Sequence, residues 1–127
     1  MQVDIFVLAD HAQLSENKLY LSGGGWTRLT VPHVPVRRRV GLAIGLRIDP
    51  DEAGAPHSFR IDMQTPGDPV ELGQGQFETE RFEGPSQVFL LAINSDLPIT
   101  SEGTYDLILS ADGNEIKRTG FQVAISP

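Results

Sequence analysis

Three groups of side chains in this chain have the types that catalysis and metal binding use. Asp49-Pro50-Asp51-Glu52 gathers three carboxylates within four residues, the hard oxygen ligands that hold calcium in a loop. The glycine and terminal glutamate of an EF-hand loop are missing there, and a solvated acidic turn accounts for the cluster without an ion. His11, His33 and His57 stand far apart, and none belongs to an H-E-x-x-H or H-x-H arrangement that would preform a zinc site. They read as loop residues. Asp10-His11 followed by Ser15 or Ser22 has the residue types of a hydrolytic triad, but no Gly-x-Ser-x-Gly elbow is present to carry a nucleophile. The chain is therefore expected not to be an enzyme, with no catalytic residues, no cofactor and no metal assigned.

Binding chemistry has better candidates. Trp26 is the only tryptophan, and its indole offers packing area together with one N–H donor, which suits a core anchor or a platform for sugar or peptide. Arg28 follows two residues later, and Arg37-Arg38-Arg39 forms the one basic run. That run can meet a phosphate or carboxylate, pair with acidic residues of its own or a neighbouring chain, or face water. Trp26, Arg28, Arg37, Arg38 and Arg39 are the candidate binding residues.

These side chains must be positioned by strands. Period-2 segments bounded by Gly, Pro, Asp and Asn recur along the chain with little helical pattern. They predict eight strands at Val3–Ala9, Lys18–Val31, Arg39–Asp49, Ser58–Gln64, a weak Gln76–Arg81, Gln87–Asn94, Thr104–Ala111 and Glu115–Ile125, with one short helical turn at Ala12–Glu16. Gly23-Gly24-Gly25 interrupts the second strand, where the chain must bend, bulge or admit another backbone, with Gly24 expected in a positive-φ bulge. The strand that continues after Trp26 excludes a phosphate-binding loop, which requires a helix there.

In Arg39–Asp49 one face carries Val40, Leu42, Ile44, Leu46 and Ile48, and the other carries Gly41, Ala43 and Gly45. The first should face the core and the second should leave room for a side chain from a neighbouring strand, a second subunit or a flat ligand. Gln87–Asn94 is apolar on both faces and is expected to be a central strand. Asp112-Gly113 predicts a hairpin turn, with Tyr105, Leu107 and Leu109 facing inward beside Phe121, Val123 and Ile125. Pro32–Pro35, Pro50–Pro56 and Thr65–Gly75 read as linkers within one domain spanning 1–127. The expected fold is all-β, a two-sheet antiparallel β-sandwich, immunoglobulin-like or jelly-roll, with a closed barrel as the alternative.

Composition bounds the partners. The net charge is −7, and nine of the 17 acids fall in residues 49–84 against two bases, whereas residues 1–48 hold six bases against three acids. An acidic surface disfavours nucleic acid and anionic membranes, so neither is expected as a partner. With no cysteine, no basic and apolar leader and no apolar run near the roughly 20 residues of a bilayer span, a cytoplasmic location is expected.

Leu8-Ala9-Asp10-His11-Ala12-Gln13, followed by Lys18-Leu19-Tyr20-Leu21-Ser22-Gly23-Gly24-Gly25-Trp26, resembles the N-terminal signature of a family of small bacterial domains of unknown function. Gly103-Thr104-Tyr105 and the Asp112-Gly113 turn are similar to the closing hairpin of that family. Glu16-Asn17 departs from it, standing where the family tends to have glycine before the lysine. The resemblance implies a bacterial source and a compact β-domain, and supplies no activity or site residues. Two function classes then stand: a protein-interaction or self-associating domain, for which basic and acidic segments can complement one another across subunits, and a small-ligand module for a carbohydrate or an anion, built on Trp26, Tyr20, Arg28 and the arginine run.

Overall fold

Large aliphatic and small residues alternate most regularly in β4 (Val36–Ile48), and this strand sets the inward face of its sheet. Val40, Leu42, Ile44, Leu46 and Ile48 are all buried. The computed structural model describes residues 1–126 and contains nine strands among them. The others are β1 (Gln2–Ser15), β2 (Lys18–Gly24), β3 (Arg28–Val31), β5 (Pro56–Gln64), β6 (Val70–Glu78), β7 (Gln87–Ile99), β8 (Gly103–Ala111) and β9 (Asn114–Ile125). They form a four-stranded sheet ordered β2-β1-β4-β7 and a five-stranded sheet ordered β3-β9-β8-β5-β6. No helix long and apolar enough to cross a membrane occurs among the described residues.

The two sheets bury one shared core. Phe6, Leu42, Ile44 and Leu97 come from the first, and Ile61, Met63, Tyr105, Leu107, Leu109 and Phe121 from the second. Each fully buried aliphatic side chain of this kind contributes about 2 kcal/mol relative to exposure. Tyr105 has no exposed surface, so its hydroxyl must be satisfied from within. It donates to the Ser101 carbonyl at 2.7 Å and accepts from the Ser101 N–H at 3.2 Å, while its ring stacks on Phe121 at 5.3 Å. The inward face expected of the last hairpin holds except at Ile125, which is 36% exposed at the strand end. Its turn has the positive φ values expected of Asp-Gly, 49° at Asp112 and 84° at Gly113.

Several expectations are corrected. The segment 18–31 is two strands in two sheets: β2 pairs antiparallel with β1, and β3 pairs parallel with β9, which makes the second sheet mixed rather than wholly antiparallel. The glycines between them carry the chain from one sheet to the other. Gly23 and Gly25 have φ of 60° and 85°, whereas Gly24 is not in the positive region, so the bulge expected at Gly24 lies on either side of it. In place of a helical turn at 12–16, β1 runs on to Ser15 and turns at Glu16-Asn17, with φ of 52° and 57°. Two successive left-handed residues suit a two-residue hairpin, and asparagine tolerates that conformation well. β6 covers residues 70–78, so most of the expected linker 65–75 is strand. Its glycines hid the alternation: Phe59 lies over Gly75, where an added Cβ would meet the ring at 2.8 Å. His11 and His57 lie on strands, and only His33 lies in a loop.

The most consequential correction concerns β7. Expected at the centre, it stands at the edge of its sheet, paired only with β4 among the described residues.

Candidate interaction surface

The five sequence candidates are not gathered into one site. Trp26 is half-buried between the sheets, edge-on to Phe121 at 5.7 Å, with its Nε1 buried and unpartnered among the described residues. Arg28 opens β3 and lines a hollow of 320 Å³ with Thr27, Thr104 and Gln122. Arg37 lines a different hollow of 410 Å³ with Pro35, Val36 and Pro98, at the start of β4. Arg37 and Arg39 share the outward face of β4, and Arg39 lies opposite Asp96 of β7 with 3.6 Å between their charged groups. Arg38 is exposed. The acidic cluster Asp49, Asp51 and Glu52 does converge, with carboxylate oxygens within 4.8 Å of one another. Part of Glu52 already serves the turn, accepting a hydrogen bond from the Asp49 N–H at 3.0 Å.

A second cluster escaped the sequence reading. His57 stands at the start of β5 with Nε2 2.6 Å from the Glu52 carbonyl oxygen and Nδ1 2.8 Å from the Asp112 carboxylate. A carbonyl and an ionised carboxylate can only accept, so the two contacts are both hydrogen bonds when the ring is protonated at both nitrogens. The Glu52 carbonyl, followed by Asp112, holds its pKa above the ordinary value. The Ser58 N–H, and then His57, hold the Asp112 carboxyl below its own. The group ties the loop before β5 to the β8–β9 turn. Nothing in the sequence pairs residue 57 with residue 112.

The outward side of the four-stranded sheet is apolar: by the register of the ladders it consists of Ile5, Val7 and Ala9 on β1, Gly41, Ala43 and Gly45 on β4, and Val88, Leu90 and Ala92 on β7. Ala9, Gly41, Ala43 and Gly45 are buried, whereas Ile5, Val7, Val88, Leu90 and Ala92 are half-buried. Neighbouring strands partly fill the small-residue row of β4, as the sequence suggested. Ile5 lies against Gly45, and the backbone of His11 and Ala12 crosses Gly41 so closely that no Cβ fits. Asn94 completes that crossing, its side chain accepting from the Ala12 N–H at 3.0 Å and donating to the Ala12 carbonyl at 2.7 Å. Beyond Ala12 the β1–β2 hairpin forms an arm. Ala12 and Leu14 share one face of it with Leu19 and Leu21, and Leu14, Tyr20 and Leu21 are 43%, 52% and 42% exposed. At its turn Asn17 borders the same small hollow as Gln87 and Val88.

β7 is the free rim of this face. From Gln87 to Ser95 it carries no charged residue and no proline, and Val88 through Ser95 are all half-buried. Phe89 stacks on Phe77 of β6 at 4.5 Å, which fixes the strand against the second sheet while leaving its outer backbone edge without a partner strand among the described residues. Of the four edge strands, β2 carries Lys18, β3 is four residues long with Arg28, and β6 carries Glu71 and Glu78. Charges and short length are the usual guards against edge pairing, and β7 lacks them over nine residues. The signal in the sequence is an uncharged apolar run, and burial on both faces of a central strand gives the same signal.

The family described as "Family of unknown function (DUF6941)" matches residues 4–124. The chain belongs to that family. No curated protein matches it. Among solved structures it is similar to the superoxide reductase (neelaredoxin) of Ignicoccus hospitalis, at 14% identity over 79% of this chain and 75% of that one, with a TM-score of 0.40. A substituted form of the same enzyme gives 14% identity over 93% and 82%, with a TM-score of 0.41. A Pseudomonas fluorescens alkylpurine DNA glycosylase, AlkC, bound to DNA containing an abasic site analog, gives 12% identity over 92% of this chain and 30% of that one, with a TM-score of 0.41. Likenesses at this level carry no activity over to this member of the family.

Proposed function

We propose that this protein is a non-enzymatic protein-interaction domain that docks through the free edge of β7 and the apolar face beside it. The observation that carries this reading is the nine-residue stretch Gln87–Ser95 of edge strand β7, which holds neither charge nor proline; Asp96 and Pro98 come only in the last four residues of the strand. An open edge presents a row of backbone donors and acceptors, and an extended partner strand satisfies them while its side chains meet the adjoining face. Half-buried Val88, Leu90 and Ala92 supply that face, and the exposed leucines of the hairpin arm extend the apolar surface. Zero cysteines and net charge −7 suit a role in a reducing compartment, away from nucleic acid and anionic membranes. The small-ligand reading draws less support, because Arg28 and Arg37 line separate hollows and Trp26 is committed to Phe121.

The test is photo-crosslinking in cells that make the protein, with p-benzoylphenylalanine placed at position 90 on the rim or at position 104 on the opposite sheet. Covalent protein adducts from position 90 and none from position 104 are expected. Absence of any adduct at position 90 overturns the reading.

A further inference from the structure

We infer that the occupant of the β7 edge is a second copy of this chain, with β7 pairing antiparallel to β7 about a twofold axis at Leu91. This rests on the interaction reading above and adds the partner and the register. A twofold interface must be self-complementary, each residue meeting its mirror position along the strand. With Leu91 on the axis, Leu90 meets Ala92, Phe89 meets Ile93, Val88 meets Asn94 and Gln87 meets Ser95, so no like charges are opposed. The axis runs through the sheet, which keeps the outward faces of both copies on the same side. The strand order becomes β2-β1-β4-β7-β7-β4-β1-β2 in one continuous eight-stranded sheet, by doubling the observed order. Both free edges vanish, and nine facing residue pairs exchange about eight to ten hydrogen bonds.

Charge complements this pairing at both ends of the interface. Asp96 is half-exposed on the outward face, beside Arg39. About the axis at Leu91 it falls opposite Ser86 of the second copy. Ser86 is the residue whose Oγ accepts a hydrogen bond from Arg47 Nη1 at 2.8 Å, while the rest of that guanidinium holds Asp4. Each end of the interface therefore alternates in sign: Arg39 and Asp96 from one copy, then Arg47 and Asp4 from the other. Moving the register by two residues one way sets Asp96 opposite Gly84, away from Arg47, and moving it the other way sets Asp96 opposite Val88, the ladder partner of Arg47, which keeps the alternation. The axis at Leu91 is the one that opposes the uncharged run Gln87–Ser95 wholly to itself.

Analytical ultracentrifugation of the whole chain from 1 to 100 µM, with single-cysteine variants on a background that has no cysteine of its own, tests the pairing. A dimer is expected. Leu90→Lys, at a half-exposed outward position, should make it monomeric while preserving the far-ultraviolet spectrum and the melting transition. Under mild oxidation Leu91→Cys should form an interchain disulfide, since facing Cα atoms in antiparallel strands lie about 4.5–5.5 Å apart. Ala92→Cys should stay reduced, its two copies lying about 8 Å apart along and across the strands. A wild-type monomer at 100 µM, or a dimer that survives Leu90→Lys unchanged, overturns the self-pairing. A position-90 adduct whose second protein is not this chain also overturns it while sustaining the interaction reading; no adduct at all removes both.

Discussion

Asn94 acts as a strand partner to Ala12, its side-chain amide taking the N–H and the carbonyl of one residue from 82 positions away. β1 pairs with β4 as far as Ala9 opposite Gly41 and then leaves it to form the hairpin arm. The backbone of Ala12, buried at that departure, would otherwise lack partners, and Asn94 reaches it because Gly41 puts no side chain between them.

Asn94→Ala should therefore cost about 1–3 kcal/mol, the usual consequence of leaving buried backbone groups unsatisfied. Asn94→Asp should be no better, since a carboxylate cannot donate to the Ala12 carbonyl. Urea denaturation of the three proteins measures this. Equal midpoints would show that water replaces the amide without loss.

Gly41→Ala should destabilise by about 1–3 kcal/mol, the range typical of overpacking, because its Cβ would press on the Ala12 backbone rather than on a movable side chain. Gly73, also on a strand, has open space around its Cβ position. Gly73→Ala should be neutral or stabilising by up to about 1 kcal/mol. A melting comparison in which the two variants behave alike would contradict the close crossing.

The glycine run between the sheets makes a sharper distinction. At Gly25, φ is 85° and space is open, so Gly25→Ala should cost about 1–2 kcal/mol from backbone conformation alone. Gly24 is outside the positive region, and an added Cβ there would make ordinary contacts with Leu21 and Ala9. Gly24→Ala should stay within about 0.5 kcal/mol of the wild type. Denaturant midpoints in the reverse order would relocate the turn.

Stability should also depend on pH through His57 and Asp112. The His57 pKa is raised above its ordinary 6.5, so its contribution is complete below that value and is lost as pH climbs through the higher folded value. The Asp112 pKa is lowered from 3.8, so its contribution is present above that pH and fades as pH falls through the lower folded value. The pair stabilises most between pH 3.8 and 6.5. The melting temperature should fall by a few degrees from pH 6 to pH 9, and His57→Ala should flatten that decline. Calorimetry across this range decides it, and an undiminished decline in the variant would assign the effect to other groups.

The parts of the fold legible from sequence were those governed by nearest neighbours. Alternation placed β4 and its inward face, and Asp112-Gly113 placed the last turn, because each depends on a few adjacent residues. Position within a sheet depends on distant pairing. An apolar run such as Gln87–Asn94 has the same composition whether a sheet or a partner covers it, so β7 read as central. The glycines of β6 removed the alternation that marks a strand, and the Phe59 ring that fills Gly75 comes from a different strand. Of the outward side of the first sheet only the small-residue row Gly41, Ala43 and Gly45 was legible, and that row is buried by its neighbours. Asn94, Arg47 and Asp96 gave no sign of their roles, which exist only between strands that the first sheet brings together.

The crossing at Gly23-Gly24-Gly25 also governs the order in which the protein can be completed during synthesis. The chain leaves the first sheet after β2, and β3 then lies parallel to β9, with Arg28 opposite Gln122. All four strands of the first sheet have been made by Ile99, but Leu29 and Val31 have no partner strand until the last strand emerges. Such long-range closure slows folding and leaves apolar edges open meanwhile. On the ribosome, this chain would carry a finished sheet and a waiting one, and the emergence of β9 would be the event that closes the domain.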